Sequence, residues 1–378
     1  MKKIIAFINT LYLYVRHYFI VSKPLYDNNI NYKDCIHPFN KVAFYIGCQD
    51  GRSDRYRVYN IVEALQNQNI WVDIYTAESI RNLLKPVDYD LLICFREDRY
   101  RFLNWDKIAA NLHKCGVKII YDTDDYTIDE RYRHASNNVL QIIKTADAIT
   151  VTTDYLATQF HKATKKPVYV VKNTINNKQM IVANKIKKLE AKNNTIKIVY
   201  QSGSPSHNKD FKQVEKALLN VLKRYANVEL HIFGPLDLTE DFDCLKEKII
   251  FHPYMDYLHL EFYVSEMDIN IAPLECTVFN HSKSELKIFE AALLGIPTIC
   301  SPVSSYKQII KDGVNGILAN NTKEWIHAFE LLLEDEVRRK NIGNKAREEF
   351  VPIYSINNEI FNVINIFSEV FLTSKTNL

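Results

Sequence analysis

The stretch IKIVYQSGSPSHNKDFKQVEKALLNVLKRYANVELHIFG covers residues Ile196 to Gly234. It contains one complete strand–helix–strand pattern. An apolar, β-branched run ends in a Gly203 loop, a helical pattern covers Phe211 to Tyr225, and a second apolar run covers Val228 to Gly234. Continuous apolar strands separated by helices are typical of a parallel sheet that is covered on both faces. The stretch therefore predicts a βαβ unit of an α/β fold.

The same alternation extends in both directions along the chain. Toward the C-terminus it continues through KIIFHP, INIAPL (Ile269 to Leu274) and PTICS (Pro297 to Ser301), with helices predicted near Ser282 to Leu294 and beyond. Toward the N-terminus six more apolar runs recur: VAFYIG (Val42 to Gly47), WVDIYT, LLICF (Leu91 to Phe95), VKIIYD (Val117 to Asp122), AITVTT (Ala148 to Thr153) and VYVVKN (Val168 to Asn173). The pattern predicts two Rossmann-like α/β halves facing a cleft, with ligands at the carboxyl ends of the strands.

Changes in composition predict the domain boundaries. The chain becomes polar and Asn/Lys-rich in residues 176–195, which we interpret as a linker. We therefore expect an N-terminal helix and lead-in over 1–40, a first domain over 41–175, a second domain over 196–350, and a C-terminal helix within 351–378. A chain of 378 residues is long enough for two cores of ordinary size.

Composition excludes several classes of protein. Hydrophobic content of 47% and charged content of 25% are those of a soluble globular protein. A net charge of +3 does not indicate nucleic-acid binding. The seven cysteines form no C-x-x-C pair and no Cys/His cluster at metal spacing, which fits a reducing cytoplasm.

The first 21 residues are rich in Ile, Leu, Tyr and Phe. No small-residue cleavage site follows them, so they do not match a secretory signal. Asn9, Thr10, Arg16 and His17 interrupt the apolar run, which makes a membrane-spanning helix a poor match. Two hypotheses stay open: a helix lying on the inner face of the plasma membrane, and an ordinary helix packed on the first domain.

FNHSKSELKIFEAALLGIPTICSP, Phe279 to Pro302, is the stretch richest in candidate functional residues. Ser282 with Glu285 matches a capping box, which predicts a helix start there and unpaired N–H groups suited to phosphate. On such a helix Lys283, Lys287 and Glu290 share one face, where they could bind a diphosphate and a ribose. An ordinary solvated charged face is the alternative on spacing alone.

At this point the sequence resembles a known family. The pattern N-x-x-K-S-x-x-K-x-x-E-x-x-x-x-G-x-P is similar to that of retaining GT-B glycosyltransferases of family four (glycosyl transferases group 1), in particular the bacterial branch acting on surface polysaccharides. The pattern is formed by Asn280, Lys283, Ser284, Lys287, Glu290, Gly295 and Pro297. Supporting segments are SGSPSHNKDF, IAPL, SPVSSYKQIIKDGVNGIL, DRYRVYNIVEAL, YDTDDY and ADAITVTTDYLA, so the resemblance covers roughly residues 41–354.

The resemblance implies a GT-B fold whose first domain binds the acceptor, whose second domain binds the donor, and whose final helix returns to the first domain. It implies catalytic roles for Lys209, which would stabilise the leaving diphosphate, and for Lys287 and Glu290. The implied donor-binding residues are Gly203, Ser204, Asn280, Lys283, Ser284 and Gly51. One departure stands out, because Ser282 occupies the position of the first of the two glutamates in the better-known family pattern.

Arginines and aspartates of the first half are candidates for the acceptor side of the cleft. They are Arg55, Arg57, Arg96, Asp124 and Asp125. Arginine suits phosphate or carboxylate, although a salt bridge is an equal alternative for Arg96. The Asp122–Thr–Asp124 sequence also matches the metal-binding motif of GT-A enzymes, a second alternative. We predict no metal, because lysines are available to neutralise the phosphates.

The sequence thus predicts transfer of a hexosyl group, with retention, from a nucleoside diphosphate sugar to a hydroxyl of a glycan or lipid-linked acceptor. The resemblance implies that the donor's own phosphate oxygen assists deprotonation, and no cofactor is required. A sugar-nucleotide epimerase of the same fold, a metal-dependent transferase using Asp122 and Asp124, and a non-catalytic scaffold of a polysaccharide assembly complex stay open as alternatives.

Overall fold

The computed structural model describes residues 36–48, 53–96, 104–128, 137–186, 195–203 and 207–373. These residues form two compact units. The N-terminal unit holds the described residues up to 176 together with 281–284 and 353–373. The C-terminal unit holds those of 177–280 and 285–352. The predicted helix at the start of the chain lies outside the described residues.

The N-terminal unit is built on a sheet of six parallel strands. They are β1 (Lys41–Ile46), β2 (Trp71–Tyr75), β3 (Leu91–Phe95), β4 (Lys118–Thr123), β5 (Ala148–Val151) and β6 (Val168–Val170), in the order β2-β1-β3-β4-β5-β6. The α-helices between them are α1 (Asn60–Gln66), α2 (Trp105–Lys114), α3 (Asn137–Thr145) and α4 (Asp154–Thr164). A π-helical turn, Arg55–Tyr59, precedes α1, and a 3₁₀ turn, Ile80–Leu84, precedes β3.

Strand β1, which lies between β2 and β3, explains why this half is so apolar in sequence. Val42 and Phe44 point into one buried cluster, whereas Ala43 and Tyr45 point into a second cluster on the opposite face. Since side chains alternate along a strand, a strand covered on both faces needs apolar residues at every position. The predicted strands of this half are therefore confirmed, with ends that differ by a few residues.

The C-terminal unit has a second parallel sheet of six strands. They are β7 (Ile196–Gln201), β8 (Val228–Phe233), β9 (Ile249–His252), β10 (Ile269–Ala272), β11 (Thr298–Cys300) and β12 (Ile317–Leu318), in the order β12-β11-β10-β7-β8-β9. Its helices are α5 (Asn177–Lys185), α6 (His207–Arg224), α7 (Tyr257–Val264), α8 (Val278–His281), α9 (Leu286–Leu293), α10 (Ser304–Ile309), α11 (Thr322–Glu334) and α12 (Glu336–Tyr354). Residue 281, and the last two residues of α12, are grouped with the N-terminal unit. The predicted pair of parallel α/β sheets is confirmed.

The last helix, α13 (Ile356–Leu372), belongs to the N-terminal unit. Its buried side chains, including Val363 and Phe367, join the cluster that contains Phe39 and Val42. Polar contacts fix its register along β6, because Asn362 Nδ2 donates to the carbonyl of Val170 at 3.0 Å. The predicted return of the final helix to the first half is confirmed.

A close backbone contact in the C-terminal unit leads to a stability prediction. Gly343 lies inside α12, and a Cβ built there would be 2.0 Å from the carbonyl oxygen of Gly295. In an unconstrained helix Gly→Ala stabilises by about 1 kcal/mol. Here we expect Gly343→Ala to lower the free energy of unfolding by about 1–3 kcal/mol, because the helix must move away from Gly295.

Urea denaturation measures this effect, with Asn341→Ala as the control on an exposed position of the same helix. The control should change the unfolding free energy by less than about 0.5 kcal/mol. A Gly343→Ala protein that is more stable than the parent would contradict the close contact.

Candidate functional site

The loop after β7 carries the first group of candidate residues in the C-terminal unit. The backbone N–H of Gly203 donates to Nδ1 of His207 at 3.1 Å, and the hydroxyl of Tyr200 donates to the carbonyl of His207 at 3.3 Å. These bonds hold the start of α6, whose first turn presents the side chain of Lys209. Ser204 lies outside the described residues.

Asp210, beside Lys209, is a residue that the sequence analysis missed. Its side chain is buried, and its Oδ1 accepts hydrogen bonds from the backbone N–H of Glu275 at 3.0 Å and from Nδ2 of Asn280 at 2.7 Å. The carboxylate thus links the turn that carries Lys209 to Glu275, in the loop after β10, and to Asn280, on α8. Its position next to Lys209 in SGSPSHNKDF was the available signal, but nothing in the sequence indicated its two partners.

The predicted helix start at Ser282 is wrong. Helix α9 begins at Leu286, with Glu285 as its N-cap residue. Ser282 is fully buried, and its carbonyl accepts a hydrogen bond from the hydroxyl of Thr153 at 3.4 Å within the N-terminal unit. This packing holds residues 282–284 in non-helical backbone, so Lys283 does not share a helical face with Lys287 and Glu290.

Lys287 and Glu290 do lie on α9, three residues apart. Nζ of Lys287 is 4.8 Å from the ring centroid of Tyr200, within the range of a cation–π interaction. Nδ2 of the fully buried Asn270 donates to the carbonyl of Lys287 at 2.9 Å and so ties the first turn of α9 to β10. The C-terminal unit therefore fixes the base of the Lys287 side chain.

In the N-terminal unit, Arg96 organises the predicted aspartate cluster. It follows β3 with a φ of +46°, a conformation that is uncommon for a residue with a side chain. Its Nε donates to Asp124 at 2.7 Å and its terminal nitrogen donates to Asp125 at 2.8 Å. The structure thus places Arg96 in an ion-pair network. Of the two alternatives predicted for Arg96, ligand binding and a salt bridge, the contacts match the salt bridge.

The two carboxyl groups of this cluster differ in their pKa values. For Asp124, burial and the neighbouring Asp125 charge outweigh Arg96, so the pKa is raised. For Asp125, burial opposes ionisation, but Lys283 and Arg96 together outweigh it and lower the pKa. One carboxyl group is thus favoured as an anion while its neighbour holds a proton more readily.

Residues 281–284 bring two predicted donor-binding residues into the N-terminal unit, and one of them, Lys283, reaches this cluster. Nζ of Lys283 is 3.0 Å from Oδ1 of Asp125, and the Ser284 hydroxyl accepts a hydrogen bond from Nδ2 of Asn173 at 2.9 Å. Within the N-terminal unit, these two side chains are therefore positioned by residues of the predicted acceptor half.

Arg57, predicted to enter a cleft, is fully buried. Its Nε and a terminal nitrogen bond both carboxylate oxygens of Asp122, at 3.0 and 2.5 Å, and its other terminal nitrogen donates to the carbonyl of Val171 at 2.5 Å. Thr150 donates to the same carboxylate at 2.6 Å. The N-terminal unit thus uses Arg57 internally, to join the turn before α1 to β4, β5 and the end of β6.

Arg55 lies two residues earlier, in the π-helical turn. Its guanidinium carbon is 3.8 Å from the ring centroid of Tyr56. Asp54 caps the turn by accepting a hydrogen bond from the backbone N–H of Arg55 at 2.9 Å. Gly51, in the preceding loop, lies outside the described residues.

These contacts bear on the metal-binding alternative. The Asp122 carboxylate is bonded by Arg57, and the Asp124 carboxylate is bonded by Arg96, so each already has a guanidinium partner. Across the described residues, no three or more His, Cys, Asp or Glu side chains are grouped so as to hold a metal ion.

A histidine pair on the neighbouring strands β8 and β9 leads to a pH prediction. Nδ1 of His231 is 2.9 Å from Nε2 of His252, whose ring stacks on Phe233 at 4.1 Å. Burial, and then the charges of His231 and Lys197, lower the pKa of His252 to about 4. Because the unfolded chain binds this proton at about pH 6.5, stability should fall as pH decreases from about 6.5 toward 4.

Urea midpoints between pH 7 and pH 4 measure that dependence, and His252→Phe should make it shallower. His161→Phe, which changes an exposed histidine of the N-terminal unit, provides the control. An unchanged slope in His252→Phe would contradict the assignment.

The region that holds Lys209, Lys287 and Glu290 is similar to a known family. Residues 182–349 match the family model of glycosyl transferases group 1. This match confirms the resemblance predicted from the sequence, and it covers the C-terminal sheet and the helices around it. A protein of Klebsiella pneumoniae, described as an uncharacterized 41.2 kDa protein in the cps region, is 32% identical over 108 residues. That match covers 27% of this chain and 28% of the relative.

Solved structures share the fold at low sequence identity. A mutant of S. aureus TarM, in complex with fondaparinux, α-GlcNAc-glycerol and UDP, is 15% identical, with a TM-score of 0.56 over 76% of this chain and 58% of that one. HepE of Anabaena, in complex with UDP and glucose, is 14% identical, with a TM-score of 0.61 over 87% of this chain and all of that one. With two six-stranded parallel sheets, the chain has the GT-B fold that the sequence predicted.

A helix that crosses a bilayer must be both long and apolar. Among the described helices, none meets both requirements. The predicted membrane contact of residues 1–21 falls outside the described part of the chain.

Proposed function

We propose that this chain is a glycosyltransferase that moves a hexosyl group from a nucleoside diphosphate sugar to a hydroxyl of a glycan or lipid-linked acceptor, with retention of configuration. The observation that carries the proposal is the family match over residues 182–349, because it contains the candidate donor residues Lys209, Lys287 and Glu290. The relative in a cps region supports a role in cell-surface polysaccharide synthesis. The nucleotide in the TarM and HepE structures supports a nucleotide sugar as donor.

In the proposed mechanism the C-terminal unit stabilises the leaving diphosphate. Lys209 and Lys287 supply positive charge, and Glu290 accepts hydrogen bonds from the donor ribose. Asp210 and Asn270 act as positioning residues, because they hold the turn of Lys209 and the backbone of Lys287. Since the backbone of both lysines is fixed before the donor arrives, little reorganisation is needed as charge develops.

On the acceptor side, we propose that Asp124 and Asp125 orient the attacking hydroxyl, with Arg96 and Lys283 holding the two carboxylates in place. Arg55 is proposed to reach acceptor or donor phosphate, and Arg57 to position Asp122 from within the unit. The donor's own phosphate oxygen would take the proton, so the protein supplies no nucleophile. The enzyme is proposed to work in the cytoplasm, with residues 1–21 at the membrane surface.

The decisive experiment incubates the purified chain with a panel of nucleoside diphosphate sugars and measures the release of nucleoside diphosphate with and without a glycan acceptor. Acceptor-dependent release, insensitive to EDTA, supports the proposal. Conversion of the donor to an isomer without acceptor would instead indicate an epimerase. Activity lost in EDTA and restored by manganese would indicate the metal-dependent alternative, and no release or nucleotide binding at all would indicate a scaffold.

Glu290→Gln tests the proposed contact with the donor ribose. A neutral amide accepts hydrogen bonds more weakly than a carboxylate, so the KM for the donor should rise about tenfold while the urea midpoint stays unchanged. Steady-state kinetics at varied donor concentration measure this change. Glu324→Gln, a substitution on the exposed N-terminal turn of α11, is the control. Equal KM values for Glu290→Gln and the parent would return Glu290 to the role of a surface charge.

A further inference from the structure

A cavity of about 190 Å³ lies at the amino edge of the C-terminal sheet. Asp268, just before β10, and Pro297, just before β11, are both among its lining residues. Gly203 follows β7, at the carboxyl edge. Because the strands of this sheet are parallel, the cavity and the candidate donor residues lie at opposite edges of the same unit.

Three basic side chains of α12 line this cavity: Arg339, Lys340 and Arg347. A terminal nitrogen of Arg339 donates to the carbonyl of Leu332 at 2.5 Å, and one of Arg347 donates to Oδ1 of Asn184 at 2.8 Å. Both acceptors are neutral, and within the described part of the chain neither guanidinium has an acidic partner. Each therefore keeps most of its five N–H donors for a ligand.

Acidic groups near the cavity do not balance this charge. Among the described residues that line the cavity, Asp268 is the only carboxylate, and its Oδ2 already accepts the backbone N–H of Lys197 at 2.9 Å. Lys340 pairs with Glu336 at 2.6 Å along α12. A concave surface with unbalanced positive charge concentrates anions.

The cavity's position on the backbone is also fixed. Gly343 lies between Arg339 and Arg347 on α12 and packs directly against the carbonyl of Gly295, another lining residue. This contact holds the helix that carries the arginines against the loop at 294–297. The two guanidinium groups are therefore presented from one rigid element, as specific anion recognition requires.

We propose that this cavity is a second anion site, and that it binds the phosphate group of a small molecule. The arginine fork matches the oxygens of a phosphate, which accepts two parallel hydrogen bonds. The volume is below the roughly 300–1,000 Å³ of pockets for drug-sized ligands, so the ligand is inorganic phosphate or a small phosphate monoester and not a nucleotide. The site does not depend on the proposed glycosyltransferase activity.

Titration calorimetry of the full chain with inorganic phosphate at pH 7.5 and constant ionic strength tests the proposal. Arg339→Gln/Arg347→Gln should weaken binding at least about tenfold, because two charge-assisted contacts are lost. Arg224→Gln/Arg338→Gln removes the same charge from two arginines that are paired elsewhere, with Glu330 and Asp335, and should bind phosphate as the parent does. Binding should also weaken as the pH is lowered from 7.5, because inorganic phosphate then takes up a proton and becomes a monoanion.

A third variant separates this cavity from the donor residues. Lys209→Gln/Lys287→Gln should keep its phosphate binding even if all transferase activity is lost. If phosphate binding is lost in that variant but retained in Arg339→Gln/Arg347→Gln, the anion binds at the donor residues, and the proposal is overturned. Equal loss in the paired-arginine control, or no phosphate binding by the parent, would overturn it as well.

If the double glutamine variant does not fold, Arg339→Lys/Arg347→Lys replaces it. That variant keeps the charge but loses the planar fork, so phosphate should still bind more weakly than to the parent. If the folded lysine variant binds phosphate as tightly as the parent does, the planar guanidinium groups are not required, and that part of the proposal is overturned.

The same phosphate chemistry occurs in free metabolites and in lipid headgroups. Glycerol 3-phosphate in the calorimeter, and sedimentation with phosphatidylcholine vesicles containing phosphatidic acid, separate the two sources. If only the binding of glycerol 3-phosphate depends on Arg339 and Arg347, the ligand is a free metabolite. If sedimentation with the vesicles depends on them, the ligand is a lipid headgroup. Dependence in neither assay would overturn the proposal for a phosphate monoester.

Discussion

Replacing Lys287 by methionine is expected to lower kcat for sugar transfer about 10²–10³-fold, because one fixed positive charge is removed from the developing diphosphate. Methionine keeps an apolar stem against Tyr200, whose ring centroid lies 4.8 Å from Nζ, so folding should be preserved. The KM for the donor should change less than kcat, since the interaction is strongest in the transition state. Initial-rate assays across donor concentrations measure both constants.

Lys307→Met is the matched control for Lys287→Met. Lys307 is an exposed lysine on α10 in the same unit, so its loss should leave kcat within about twofold of the parent. Lys209→Met should also reduce kcat, but less, because Lys209 is exposed and water screens its charge. A Lys287→Met enzyme with the parent's kcat would remove Lys287 from the proposed mechanism.

Arg57→Met is expected to lower the free energy of unfolding by about 3–5 kcal/mol, the largest stability loss that we predict. The substitution leaves the Asp122 carboxylate buried without its guanidinium, and only the hydroxyl of Thr150 still bonds it among the contacts described above. Denaturant unfolding followed by circular dichroism measures the loss.

Two further variants define the cause of that loss. Arg224→Met breaks an exposed ion pair with Glu330 and should cost no more than about 1 kcal/mol. The double variant Arg57→Met/Asp122→Leu removes the buried charge as well as its partner and should recover part of the stability. If Arg57→Met costs as little as Arg224→Met, the buried ion pair does not stabilise the N-terminal unit.

The strands and the fold class could be predicted because they depend on short-range pattern. The LLICF run became β3 in full, and Ile356 to Leu372 became a helix with the predicted bounds. β3 is apolar at every position because both of its faces are buried, whereas the final helix is apolar mainly on the face that it buries. The two-residue strand β12 has too few residues to produce such a pattern.

The candidate site could be predicted only in part. The family resemblance named Lys209, Lys287 and Glu290 as candidates, which lie on α6 and α9, and their roles stay predictions. The start of α9 was misplaced, because the capping-box pattern at Ser282 is local, whereas the hydrogen bond from Thr153 to the Ser282 carbonyl joins residues 129 positions apart. The role of Arg57 was likewise set by Asp122, 65 residues away.

The sequence by itself thus determined most of the strands and helices and the presence of two parallel α/β halves, and it supplied the candidate residues for phosphate binding. Those features follow from periodicity and from local backbone preferences. Only the tertiary structure decided which charged groups neutralise one another, namely Arg57 with Asp122, Arg96 with the two aspartates, and Lys283 with Asp125. Charge pairing depends on distances across the fold, and a linear sequence does not contain those distances.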